Sequence, residues 1–127
     1  VIDVISFSYE TGLPSNLEGG PVHDLRPYKS VVGELDGTEE SVQRVLMKDP
    51  VFRKAIEKIA QEVADEASDL ESVAFGSTLG KTTSVAAAEI VAAALVHLGY
   101  TVTITHTAIH KPAKLLRPTI ATWGYTE

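Results

Sequence analysis

The chain has no cysteine, a single methionine and a single tryptophan, and aromatic residues make up only 6% of it. Without thiols there is no disulfide, no thiolate nucleophile and no cysteine-ligated metal. Long apolar runs are also missing. The best stretch, residues 85–98, is broken by Glu89 and falls short of the roughly 18 residues that mark a membrane span. Basic charge is scarce, with 11 Lys plus Arg against 17 acids and a net charge of -6. That disfavours a broad electrostatic grip on nucleic acid but leaves room for a local basic patch. The start, Val1 to Ile5, has neither the basic region nor the clean apolar segment of a secretory leader. It does not begin with Met, as expected of a piece cut from a longer protein.

What remains is 127 residues, 44% hydrophobic, enough for one domain (1–127) with a real core. Val1, Ile2, Val4, Ile5 and Phe7 supply apolar groups to both faces of a buried strand over residues 1–9. Gly12, Pro14, Asn16, Gly19, Gly20 and Pro21 mark a long loop, after which Val22 to Leu25 returns to the sheet. Thr38 is expected to cap a helix running to Met47, and Asp49-Pro50 to open a second with a stripe of Phe52, Ile56, Ile59, Ala60 and Val63. Ser72 to Phe75 is a second strand. Val85 to Leu98 is a buried helix closed by Gly99, and Tyr100 to Thr107 alternates as a strand. Strand, helix and strand from 72 to 107 form a parallel crossover unit. The expected fold is α/β, a mostly parallel or mixed sheet flanked by helices.

The chemistry concentrates in Phe75-Gly76-Ser77-Thr78-Leu79-Gly80-Lys81-Thr82-Thr83-Ser84, where a strand turns into a helix. Gly76 and Gly80 free the backbone, while Ser77, Thr78, Thr82, Thr83 and Ser84 offer N–H and hydroxyl donors. Lys81 adds a point charge, and a helix N-terminus supplies unpaired amides. This pattern suits a phosphate. The spacing is one residue shorter than the triphosphatase pattern Gly-x4-Gly-Lys-Ser/Thr, and no hydrophobic run ending in Asp stands ready to hold magnesium. A tight turn with close helix packing is the bland alternative. His23, His97, His106 and His110 have no metal-ligand spacing, so neither a metal nor a cofactor is expected. A Ser77, His106 and Asp24 catalytic trio is conceivable, but nothing in the sequence orients it.

Several landmarks resemble the C-terminal domain of the RapZ family, bacterial RNase adaptor proteins that usually carry an N-terminal P-loop ATPase domain. Ser6-Phe7-Ser8-Tyr9-Glu10-Thr11-Gly12-Leu13-Pro14 is similar to that domain's opening, roughly S-F-x-Y-x-x-G-x-P. Asp24-Leu25-Arg26 is similar to its D-x-R, and Gly37 to Val42 corresponds loosely to its Gly-x-acid-x-x-V. Gly76 to Val85 with Ala88-Glu89 resembles G-C-T-G-G-x-H-R-S-V and the following A-E. His106-Thr107-Ala108 stands where the family reads H-R-D. The family's cysteine is here Ser77, its histidine Thr82, its first arginine Thr83 and its last Thr107. Those groups are associated with an amino-sugar phosphate and a small-RNA surface.

The resemblance implies a cytoplasmic, self-associating adaptor domain without catalysis, binding a small phosphorylated ligand, RNA phosphates or both. Asp24, Arg26 and His106 would line or brace the pocket. Read by themselves, they are equally a salt bridge and a core histidine. In the basic and aromatic tail, 108–127, His110, Lys111, Lys114 and Arg117 would meet a structured small RNA; on composition they are equally a solvated tail. Trp123 and Tyr125 either stack on a partner or tether the end. A nucleotide-binding enzyme using the 76–84 loop and a protein-interaction module with a vestigial pocket are the competing readings. No ATPase domain lies within these residues, so the family's hydrolysis is not carried over.

Overall fold

In the computed structural model, residues 1–14, 20–28 and 35–118 are described. The elements are β1 (Ile2–Ser8), β2 (Val22–Asp24), α1 (Glu40–Lys48), α2 (Pro50–Glu66), β3 (Ser72–Ser77), α3 (Thr83–His97), β4 (Val102–His106) and β5 (Lys114–Leu116). They form a mixed five-stranded sheet in the order β2-β3-β1-β4-β5. β2, β3, β1 and β4 run parallel, and β5 returns antiparallel along β4. Central β1 therefore has β3 on one side and β4 on the other, and α3 links those two neighbours. The register sets Ser8 opposite Ser77, Asp24 opposite Gly76 and Ser6 opposite His106. Four strand C-termini thus finish along one edge, where open parallel sheets usually bind ligands.

Alternation along the strands divides the core. Ile2, Val4, Val73, Phe75, Val102 and Ile104 meet Val42, Leu46, Phe52, Ile56, Val63 and the apolar length of α3 in the main cluster. Ile5, Phe7 and Ala74 form a smaller cluster with Tyr9 on the other face. Helix α3 is so rich in alanine and valine that it buries Val85 to Ala88, Val91, Ala92 and Leu95 together. It closes at Gly99, whose φ of 101° only glycine adopts easily. Helix α2 starts as its sequence requires: Asp49 Oδ1 accepts from Val51 N at 2.9 Å, with Pro50 at the first position.

Strands β1, β2 and β4 are each shorter than expected, at Ile2–Ser8, Val22–Asp24 and Val102–His106, and three further boundaries differ. Thr38 does not cap α1: its amide donates to Asp36 Oδ1 at 2.8 Å, and the helix begins at Glu40 behind Glu39. Strand β3 runs on through Gly76 and Ser77, because β1 offers ladder partners to both and β2 offers one to Gly76. Helix α3 begins at Thr83 rather than Val85. Within the tail, Lys114–Leu116 is a strand; Ile120, Trp123 and Tyr125 lie outside the described residues.

Candidate functional site

The glycines explain how the turn after β3 is built. A side chain on Gly76 would lie 2.5 Å from both the Phe7 and Tyr9 rings, so its bare backbone is what lets those aromatics fold over the sheet. Gly80 has φ +67°, and a side chain there would come within 2.7 Å of Ala108 and 2.8 Å of the Ser8 amide. The turn is therefore pressed against the end of β1 and the loop after β4. Ser8 Oγ donates to the Thr78 carbonyl at 2.7 Å, joining the two strand ends directly.

Inside the turn, Ser77 Oγ accepts the Gly80 amide at 3.0 Å and pairs with Ser84 Oγ at 2.8 Å. One amide and two hydroxyls assigned to a phosphate thus hold the turn in shape. Ser77, Thr82, Thr83 and Ser84 are buried, whereas Thr78 and Leu79 form the exposed rim, with Lys81 half-buried. Thr82 precedes α3 without a side-chain cap. The turn and α3 sit at one strand-to-helix junction, as the sequence pattern requires.

On the far side of β3, Asp24 and Arg26 do form a salt bridge, with Nη2 at 2.7 Å from Oδ2 and Nε at 3.0 Å from Oδ1. The Arg26 guanidinium also lies 3.8 Å above the Tyr9 ring. Among the described residues, its Nη1 group has no hydrogen-bond partner. Those bonds from Arg26 hold the Asp24 carboxyl below its usual range. Burial, then the Asp24 charge, push the Tyr9 phenol up, partly opposed by Arg26.

His106 is engaged elsewhere. Its Nδ1 lies 2.6 Å from Ser6 Oγ and its Nε2 lies 2.7 Å from Glu89 Oε2, while Lys114 Nζ reaches Glu89 Oε1 at 2.8 Å. Burial opposes ionisation of Glu89. Hydrogen bonds from His106 and Lys114, and their charges, outweigh it and hold the carboxyl below its usual range. This chain of partners joins β1, β4, α3 and β5. Sequence reasoning missed it, although a lone acid in an alanine-rich helix and a histidine on an apolar strand face were its two signals.

Of the four tail cations, Lys114 is thus paired with Glu89, and Lys111 Nζ lies 3.1 Å from Asp36 Oδ2 and 3.8 Å from Glu39 Oε1. His110 and Arg117 are exposed. Among the described residues no cluster of His, Asp and Glu is placed to hold a metal, and no helix is long and apolar enough to cross a membrane.

Residues 1–110 match the family model described as the RapZ C-terminal domain. A nucleotide-binding protein of Cereibacter sphaeroides strain ATCC 17025 is 32% identical over 130 residues, covering 93% of this chain and 42% of that protein. A nucleotide-binding protein of Dinoroseobacter shibae is 35% identical over 117 residues, covering 83% of this chain and 38% of its own length. One from Ruegeria sp. strain TM1040 is 32% identical over 117 residues, with the same two coverages, 83% and 38%. The chain spans about two fifths of the length of these curated relatives. It belongs to the RapZ C-terminal domain family.

Proposed function

We propose that this member of the RapZ C-terminal domain family is a non-catalytic binding domain for a small phosphorylated ligand. The ligand would sit where β3 turns into α3. One observation carries the reading: the hydroxyl- and amide-rich turn 77–84, fastened to the end of β1 by Ser8, lies at the C-terminal edge of the parallel strands, directly before a helix N-terminus. Gly76, Ser77 and Gly80 shape the turn. Ser84, buried and paired with Ser77, supports it from beneath, and Thr78, Lys81, Thr82 and Thr83 are the candidate donors around it.

Arg26 is the second cation of this reading. Asp24 and Tyr9 fix its guanidinium plane, and among the described residues its Nη1 edge is left to meet a phosphate oxygen. The printed name of the relatives, nucleotide-binding protein, supports a phosphorylated ligand as the class. An amino-sugar phosphate is the alternative within that class.

Binding is favoured over hydrolysis by the condition of the Ser6–His106–Glu89 alignment. Although a hydroxyl, an imidazole and a carboxylate lie in line, Ser6 is 0% exposed and cannot meet a substrate. RNA phosphates are the weaker ligand, since Lys111 and Lys114 already neutralise carboxylates of this chain.

Calorimetric titration tests the reading with amino-sugar phosphates, nucleoside mono- and triphosphates with magnesium, inorganic phosphate and a structured RNA. Saturable binding of one phosphorylated small molecule, lost in the Gly80→Ala, Lys81→Ala double variant while the fold persists, is the expected result. A folded domain that binds none of them overturns it, and magnesium-dependent turnover would move the chain to the enzyme reading.

A further inference from the structure

The segment Asp36-Gly37-Thr38 lies along the flank of the first turn of α3. Gly37 N donates to the Lys81 carbonyl at 2.9 Å. Any side chain on Gly37 would collide with the Thr82 carbonyl oxygen and the Ala86 amide nitrogen, so this strap touches the helix backbone itself. Its other contacts come from two directions. Gln43 Nε2, from α1, donates to the Gly37 carbonyl at 2.9 Å. Lys111, from the loop after β4, donates to Thr38 Oγ1 and pairs with Asp36 at 3.1 Å. Glu39 adds a more distant carboxylate at 3.8 Å.

Asp36 is the hub of this arrangement, since its Oδ1 also accepts the Thr38 amide at 2.8 Å. Burial resists its ionisation, and the bonds from Thr38 and Lys111 overcome that resistance and hold the carboxyl low. An aspartate in this setting needs its cation. Its side chain is only 14% exposed, so removing Lys111 leaves a poorly solvated charge beside the strap.

We infer that Lys111 is a latch: by pairing with Asp36 and Thr38 it holds the strap against α3 and so fixes the Lys81–Thr82 peptide at the start of the helix. Lys111 is thus a positioning residue, joining the loop after β4 to the glycine turn through Asp36 and Gly37. A strap held in place presents the turn in one geometry, and a loosened strap lets the Lys81 carbonyl and its neighbours rotate. The consequence for ligand affinity rests on the anion-site reading above, whereas the latch itself does not.

The test is amide hydrogen exchange on the full chain, comparing wild type with Lys111→Ala and Lys111→Arg, followed by titration with inorganic phosphate monitored at the Gly80 to Thr83 amides. Exchange at the Gly37 amide is expected to quicken about tenfold in Lys111→Ala, the scale of one charge-assisted hydrogen bond, with the β1 amides unchanged. Lys111→Arg should restore most of that protection. Molar salt should speed Gly37 exchange in wild type and add little in Lys111→Ala, because it screens the same pair. Phosphate affinity should fall in step with the lost protection. A Gly37 amide that exchanges equally in wild type and Lys111→Ala overturns the latch. Faster Gly37 exchange with no phosphate response in any of the proteins upholds the latch and overturns the anion site instead.

Discussion

The two strands beside β1 both bring polar groups to the helix-facing side of the sheet, and they treat them in opposite ways. On the β4 side, Ser6, His106, Glu89 and Lys114 form a closed chain that ends in an ion pair. On the β3 side, Ser77, Ser84 and the Gly80 amide form a neutral set that shapes a turn with an exposed rim at Thr78 and Leu79. A histidine between a hydroxyl and a carboxylate attracts attention as chemistry. Here it works as a brace, because every one of those groups already has its partner inside the chain. The turn is the site proposed above because its rim, Thr78 and Leu79, is exposed at the strand ends, whereas Ser6 and His106 are buried.

If that contrast is right, damage to the brace should cost more than damage to the turn. Glu89→Ala leaves His106 Nε2 and Lys114 without their carboxylate at a mostly buried position. It should lower unfolding free energy by about 3 kcal/mol in denaturant titration. Next comes Gly80→Ala, which meets both the positive φ and the packing against Ala108 and Ser8, for a loss of about 2 kcal/mol. Gly12→Ala is its control: φ is +90° there too, but nothing lies within 4 Å of the added carbon, so only the conformational part of about 1 kcal/mol should remain. Equal losses at the two glycines would mean the turn is not pressed against β1. Ser77→Ala strands the Gly80 amide and the buried Ser84 hydroxyl and should also cost about 1 kcal/mol. A Ser77→Ala loss as large as that of Glu89→Ala would break the contrast.

Much of this was legible beforehand, for reasons that differ by element. The crossover from Ser72 to Thr107 could be read because alternation in the strand 100–107 and the apolar length of 85–98 both demand burial. Asp49-Pro50 announced α2 through local stereochemistry alone. Thr38 misled for an instructive reason: a cap depends on which backbone amide the hydroxyl meets, and the Thr38 hydroxyl instead donates to Asp36 Oδ1, two residues away. The strap and the Ser6–His106 link of the brace were invisible because their partners are distant in sequence. Lys111 meets Asp36 across 75 positions, and His106 meets Ser6 across 100. No window on the chain contains either pair. Gly76 shows a subtler limit, for its pattern advertised an anion loop while its contacts give it a packing duty beneath Phe7 and Tyr9.

Acid titration of stability gives the smallest effect and the finest resolution between the two sides. Glu89 has a folded pKa below its ordinary value of 4.5, so ionisation favours the folded state. Its contribution is complete above 4.5 and drains away as pH falls through the lower folded value. Asp36 behaves the same way below 3.8. Wild type should therefore lose stability progressively below about pH 4.5, and Glu89→Gln should flatten the upper part of that limb while Asp36→Asn flattens the lower. Ser77→Ala removes no ionisable group, so its curve should run parallel to that of wild type, displaced by a constant amount. Chemical unfolding at a series of pH values from 6 downwards, spaced at about half a unit, reads all four proteins together. If Glu89→Gln and Ser77→Ala gave the same acid slope, the carboxylate would not be ionised against His106 and Lys114, and the brace would be as neutral as the turn.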